Sequence, residues 1–78
     1  MIIGIDFDGT CVTHEFPKIG KDIGAIPILK KLIAREHKLV LFTMRSDNRE
    51  DGTHPLAEAV NWFYKNDMKN KRFVYCLY

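Results

Sequence analysis

Asp6 and Asp8, backed by Gly9 and Thr10, are the residues of this 78-residue chain whose types and spacing can do chemistry together. They follow Ile2, Ile3 and Ile5, a β-branched run that predicts a strand from Ile2 to Phe7 buried on both faces. Side chains alternate along a strand, so Asp6 and Asp8 should leave on one side while Phe7 turns the other way into packing. Gly9 lets the chain bend with φ > 0, and Thr10 adds a donor and an acceptor beside it. Such a corner is a cup for a charged ligand. Two carboxylates this close repel by ~1 to 4 kcal/mol at about 4 Å, depending on the effective dielectric. A divalent cation relieves that cost, and Mg²⁺ suits because one or two carboxylates, water and a substrate phosphate commonly complete its shell. With its charge neutralised, Asp6 can attack phosphorus as a carboxylate nucleophile. Asp8 can give a proton to the leaving group and later take one from water.

Two plainer readings compete. An Asp-Gly turn after a buried strand would look similar. An EF-hand loop fails on spacing, since counting from Asp6 puts its glycine at Cys11 and its closing glutamate at Pro17. The run Ile5-Asp6-Phe7-Asp8-Gly9-Thr10 resembles the first motif of the haloacid-dehalogenase-like hydrolases, an apolar strand followed by D-x-D-G-T. The resemblance implies that Asp6 is the nucleophile and Asp8 the acid/base. It also implies that Asp6 and Asp8, the latter through its carbonyl, are the Mg²⁺ ligands.

Other elements must position this corner. Ile26, Leu29, Leu32 and Ile33 form one apolar stripe, and Lys30, Lys31 and Arg35 the opposite one, which predicts a helix from about Ala25 to Glu36. Pro27 is tolerable only in the first turn, so the start lies near Gly24. Arg35 and His37 suit its carboxyl end. Lys38 to Thr43 is apolar on both faces and predicts a second, parallel strand. Ligands of such sheets bind at the carboxyl ends of the strands, which brings Thr43 beside Asp6 and Asp8. This resembles the family's second motif, a strand ending in Ser or Thr. It implies that the Thr43 hydroxyl and the Met44 backbone N–H bind phosphate. Arg45 is either a further phosphate contact or a solvated loop residue.

Cys11 to Asp22 reads as a flap or tight hairpin over the cup, with Lys18 and Lys21 facing an anion or solvent. Ser46 to His54 is a polar loop over the same end of the sheet, without an apolar anchor. Leu56, Ala59, Val60 and Phe63 predict a second helix from Pro55 to Asn66, opened by Thr53 or His54, with Trp62 partly packed beside the stripe. Phe73 to Tyr78 predicts a third buried strand.

Composition bounds the function. At 46% hydrophobic and 28% charged residues, the chain reads as one soluble globular domain, small enough that its core is marginal. No apolar run approaches a membrane span and no charged n-region opens the chain, so a cytoplasmic protein is expected. Cys11 and Cys76 are too few for a disulfide scaffold or zinc knuckle, and His14, His37 and His54 share no ligand spacing. A net charge of +2 is too small to imply nucleic acid by itself, and Lys65, Lys69, Lys71 and Arg72, without an aromatic-interleaved motif, read as a solvated helix end rather than a nucleic-acid patch.

The resemblance covers two of the family's four motifs. The lysine of the third and the acidic residues of the fourth would follow the third strand, and none of Lys65, Lys69 or Lys71 stands at that lysine's place. The expected fold is α/β: a truncated, three-layer Rossmann-like arrangement, βαβαβ, with a parallel sheet in the order 3-2-1. It is one partial domain over residues 1–78, with no room for a cap between Cys11 and Phe42. The expected function is Mg²⁺-dependent phosphomonoester hydrolysis through an aspartyl-phosphate, on a phosphorylated substrate these residues do not name. The alternative is a noncatalytic module that binds Mg²⁺ or phosphate weakly and serves association. An apolar first strand left at a sheet edge predicts a homo-oligomer.

Overall fold

The computed structural model describes residues 1–74; the part of the expected third strand that falls on 75–78, and with it Cys76, lies outside the described residues. Five elements follow one another: β1 (Ile2–Ile5), α1 (Ala25–Ala34), β2 (Lys38–Leu41), α2 (Pro55–Lys65) and β3 (Phe73–Val74). The strands form one parallel sheet in the order β1-β2-β3, with Ile3 opposite Leu39, Ile5 opposite Leu41, and Leu39 opposite Phe73. The chain is thus a small α/β unit.

Strand alternation sorts the sheet into two unlike faces. Ile3, Ile5, Leu39, Leu41 and Phe73 point to one side, where they join Ile26 and Leu29 of α1 and Ala59 and Phe63 of α2 in a single core. Phe7 sits at its centre, fully buried, with ring centroids 5.5 Å from Trp62 and 5.6 Å from Phe63. Both helices lie on this side, as right-handed crossovers require when the chain steps in one direction from β1 to β2 to β3. The other face carries Ile2, Gly4, Val40 and Phe42, and it is open. Ile2 is 70% and Phe42 59% exposed. Two expectations are thereby corrected: β1 and β2 are buried on one face rather than both, and the third layer is missing among the described residues. Uninterrupted apolar runs mark the capacity for burial on both faces, and here one capacity is unused.

Helix ends follow local chemistry. Pro27 is the third residue of α1, within the turn that needs no intrahelical N–H partners. Pro55 opens α2. At their carboxyl ends both helices close with paired backbone bonds across a left-handed residue. His37 N–H reaches the Leu32 carbonyl (3.1 Å) and Glu36 N–H the Ile33 carbonyl (2.9 Å) around Glu36 at φ 67°. Met68 N–H to Phe63 (3.0 Å) and Asp67 N–H to Tyr64 (3.1 Å) repeat the device around Asp67 at φ 63°. The expected helices thus stop one or two residues early, because Glu36 and Asn66 belong to the exits.

Candidate functional site

β1 stops at Ile5, short of the expected Phe7, and the chain then turns sharply. The Phe7 carbonyl accepts the N–H groups of Thr10 (3.2 Å) and Cys11 (2.9 Å), while Gly9 N–H donates to Val12 O at 2.7 Å. Gly9 stands at φ 84°, the left-handed region in which a side chain is strained. This turn separates the two carboxylates. Asp6 is exposed at the carboxyl end of β1, and its Oδ1 accepts the Phe7 N–H at 2.8 Å. Asp8 is turned inward.

Arg45 explains the turn inward. Its Nε donates to Asp8 Oδ2 at 2.8 Å and its Nη2 to Asp8 Oδ1 at 2.7 Å, a two-pronged pair. The remaining N–H groups donate to three backbone carbonyls: Lys18 (2.8 Å) and Pro17 (3.3 Å) in the flap, and Pro55 (3.0 Å) at the start of α2. All five donors of the guanidinium are therefore used. Its plane also lies against aromatic rings, with Cζ 4.9 Å from the Phe7 centroid and 5.2 Å from that of Phe16. At 2% exposure Arg45 is neither a solvated loop residue nor a free phosphate contact, which corrects both expectations. The expected repulsion between Asp6 and Asp8 is corrected as well, because Arg45 already supplies the countercharge to Asp8.

The phosphate-binding residues expected from the second strand lie where Asp6 is. Asp6, Phe42, Thr43 and Met44 line one shallow cleft of about 340 Å³ at the carboxyl ends of β1 and β2. The Thr43 hydroxyl oxygen accepts the Arg45 N–H at 3.1 Å, which fixes the bend after β2. Thr10 faces elsewhere, lining a cleft beside α1 with Ile5, Cys11 and Leu29. A larger cleft of about 610 Å³ runs between the flap and α2, walled by Pro17, Lys18, Ile19, Trp62 and Lys65. It contains neither carboxylate, so its size does not make it the centre of the chemistry.

The flap is a narrow hairpin. Thr13 N–H donates to Lys21 O (2.8 Å) and Lys21 N–H to the Thr13 hydroxyl (2.8 Å). A Cβ on Gly20 would collide with the Thr13 backbone, so the two arms need glycine there. The loop after β2 is also anchored, by a polar residue that apolar periodicity does not reveal. Asp47 Oδ1 accepts the N–H groups of Leu56 (2.9 Å) and Ala57 (3.2 Å), capping α2 in place of His54, whose side chain makes no cap bond. Farther along, Asp51 is held well below the usual carboxylate range by Arg49 and by bonds from Thr53. Beneath the site, burial foremost and then Asp6 and Asp22 push the Cys11 thiol up to about 12. The thiol donates to the Asp6 carbonyl at 3.4 Å.

Oxygen donors for a cation are present but few. Among the described residues no group of three or more His, Cys, Asp or Glu side chains converges. The Asp6 carboxylate and the Asp8 carbonyl are hard oxygen ligands of the kind and number that Mg²⁺ takes from a protein when water and phosphate supply the rest.

No protein-family model matches the chain, and no curated protein matches it. A solved structure of a conserved protein from Bacteroides thetaiotaomicron is similar over 86% of this chain, with 35% identity and a TM-score of 0.75. The match takes in 51% of that protein, so this chain spans about half its length. The likeness supports the α/β fold described here.

Proposed function

We propose that the chain carries the phosphate-transferring corner of a haloacid-dehalogenase-like phosphomonoester hydrolase. The observation that supports this best is the cleft in which exposed Asp6, at the end of β1, meets Thr43 and Met44 at the end of β2. In this reading a phosphoryl group sits over Asp6, with one oxygen on the Thr43 hydroxyl and another on the Met44 N–H. An Asp6 carboxylate oxygen attacks phosphorus, the bond to the ester oxygen breaks, and the departing oxygen takes a proton through Asp8. Water then attacks the phosphorus of the aspartyl-phosphate, its proton passes to Asp8, and Asp6 and inorganic phosphate are regenerated. Arg45 occupies one acceptor position on each Asp8 oxygen and leaves one on each, and there the exchanged proton must sit. Mg²⁺, held by Asp6 and the Asp8 carbonyl, would supply charge neutralisation between the nucleophile and the incoming phosphate.

The test is hydrolysis of an aryl phosphate by protein from a phosphatase-deficient host, with and without Mg²⁺. Parent protein should turn over slowly and Asp6→Asn not at all, with both equally folded by circular dichroism. Equal rates in the two sink the nucleophile assignment. Mg²⁺ should also raise the melting temperature, by an amount that becomes linear in the logarithm of its concentration as the site approaches saturation, against an ionic-strength control. A noncatalytic association module remains the second reading, favoured by one observation, the open sheet face.

A further inference from the structure

The larger cleft, between the flap and α2, holds polar side chains that the phosphate reading leaves idle. Its two walls are pinned to one another. Arg45 donates to the Pro17 and Lys18 carbonyls on the flap side and to the Pro55 carbonyl on the helix side, so one buried guanidinium sets the separation of the walls. Trp62 is fixed as well. Its ring stands at 72° to Phe7 and 83° to Phe63, T-shaped contacts that set the plane of a half-buried indole. A cleft of about 610 Å³ with walls fixed in this way has the size and the preformed shape of a small-molecule site.

The lining selects the ligand. α2 brings Glu58, Asn61, Trp62 and Lys65 to the cleft at i, i+3, i+4 and i+7, hence on one face of the helix. With Lys18 from the flap they supply two ammoniums, one side-chain amide and one indole N–H. Among the described residues none of these four side chains donates a hydrogen bond to the protein or enters an ion pair. Against them stands one carboxylate, Glu58, while the Thr53 hydroxyl is already spent on Asp51 at 2.6 Å. Donors and positive charge are in excess, which suits an acceptor-rich anion. Trp62, Ile19 and Pro17 supply the apolar surface against which a flat ring sheds its water. Inorganic phosphate would satisfy the lysines and leave that surface unused.

We infer that the cleft between the flap and α2 binds a small planar aromatic carboxylate, its ring against Trp62 and its charge taken up by Lys18 and Lys65. The site contains neither Asp6 nor Asp8, and an aromatic carboxylate has no phosphate ester to cleave. The inference therefore stands whether or not the Asp6 cleft hydrolyses phosphate esters.

The experiment titrates the full chain with naphthoate and follows the nitrogen–proton NMR correlation of the Trp62 indole, which is unambiguous because the chain has a single tryptophan. That resonance should move and saturate with a Kd of about 1 mM or tighter, as befits a ligand of this size in a preformed site. Naphthylmethanol keeps the ring without the charge, and cyclohexanecarboxylate keeps the charge without the flat ring. Each should bind at least about tenfold more weakly than naphthoate. Lys18→Gln combined with Lys65→Gln changes two exposed side chains, and should weaken naphthoate at least about tenfold while the circular dichroism spectrum is unchanged. Glu58→Gln should tighten binding, because it removes the like charge. An indole resonance unmoved at about 10 mM naphthoate overturns the inference, as does equal binding of the alcohol or undiminished binding by the double lysine variant. Shifts centred on the Met44 amide instead of Trp62 overturn it too, and give the anion to the Asp6 cleft.

Discussion

Arg45 and Asp8 form a two-pronged ion pair across 37 positions of sequence, with the Arg45 side chain 1% and the Asp8 side chain 12% exposed. The pair joins the turn after β1 to the bend after β2. Through the Pro17, Lys18 and Pro55 carbonyls it also ties in the flap and the start of α2. Four segments are thus held by one side chain.

Removing one member of such a pair strands the other charge in a poor solvent, typically costing ~3 to 5 kcal/mol. A domain of this size has ~4 to 12 kcal/mol of stability at the usual ~0.05 to 0.15 kcal/mol per residue, so the loss is a large fraction of the whole. Arg45→Gln should therefore be substantially less stable in urea. Arg45→Lys should recover only part of the loss, since an ammonium cannot make the fork or reach three carbonyls. Joint replacement, Asp8→Leu with Arg45→Met, should be less damaging than the sum of the two single changes. Strict additivity in that cycle would show that the pair is not coupled.

How much of this was legible without the structure depends on the range of the forces involved. Apolar stripes at 3.6-residue spacing and the first-turn prolines locate α1 and α2, because those signals act within a few residues. Gly9 announced its left-handed turn for the same reason. Arg45 was not legible: its partners lie 10 to 37 positions away, and nothing adjacent distinguishes it from the exposed Arg49. A usable hint was present in Asp8, a carboxylate beside a core phenylalanine, which needs a countercharge from some strand end. The open face was hidden for another reason. Ile2, Val40 and Phe42 carry the composition of a buried layer, and composition does not say whether the covering layer is there.

Asp47 offers a cleaner test of the loop that joins β2 to α2. Its carboxylate accepts two first-turn N–H groups from eight residues before the helix, and the His54 side chain at the cap position makes no such bond. Asp47→Ala should cost about 1 kcal/mol, the usual price of a lost cap, and Asp47→Asn appreciably less. Equal midpoints for parent and Asp47→Ala in denaturant titration would show that water replaces the cap at no cost.

The two helix exits predict changes of the opposite sign. Glu36 and Asp67 occupy left-handed positions at which an L side chain is strained by ~1 to 2 kcal/mol, partly offset in the comparison by the extra freedom glycine has when unfolded. Glu36→Gly and Asp67→Gly should each stabilise by ~0.5 to 1 kcal/mol. The backbone bonds they close, His37 to Leu32 and Met68 to Phe63, are retained in both variants. Arg72 loses only a distant contact with the exposed Glu36 carboxylate at 3.9 Å, while its bond to the Glu36 carbonyl remains. Thermal melts should show both variants above the parent, and a fall in either would mean that the side chain, not the backbone, holds that exit.

Cys11 ties stability to alkaline pH. Its thiol is fully buried beneath Asp6, and burial, then Asp6 and Asp22, raise its pKa from 9.0 to about 12. Between those values the unfolded chain has released the Cys11 proton and the native chain has kept it. The unfolded state therefore binds fewer protons, and stability falls as pH rises through that window, having been fully present below it. Other groups titrate at the same pH, so the contribution is read by difference, in a Cys76→Ser background that leaves Cys11 as the single thiol. There Cys11→Ala should lose less stability than the Cys11 protein as pH is raised from 9 towards 11. In the same background an aromatic disulfide reagent at pH 8 should label the native protein slowly and the urea-unfolded protein at once, because only the thiolate attacks and the native thiol is both protonated and covered. Rapid labelling in the absence of urea would place the Cys11 sulfur at the surface, contrary to its packing under the candidate nucleophile.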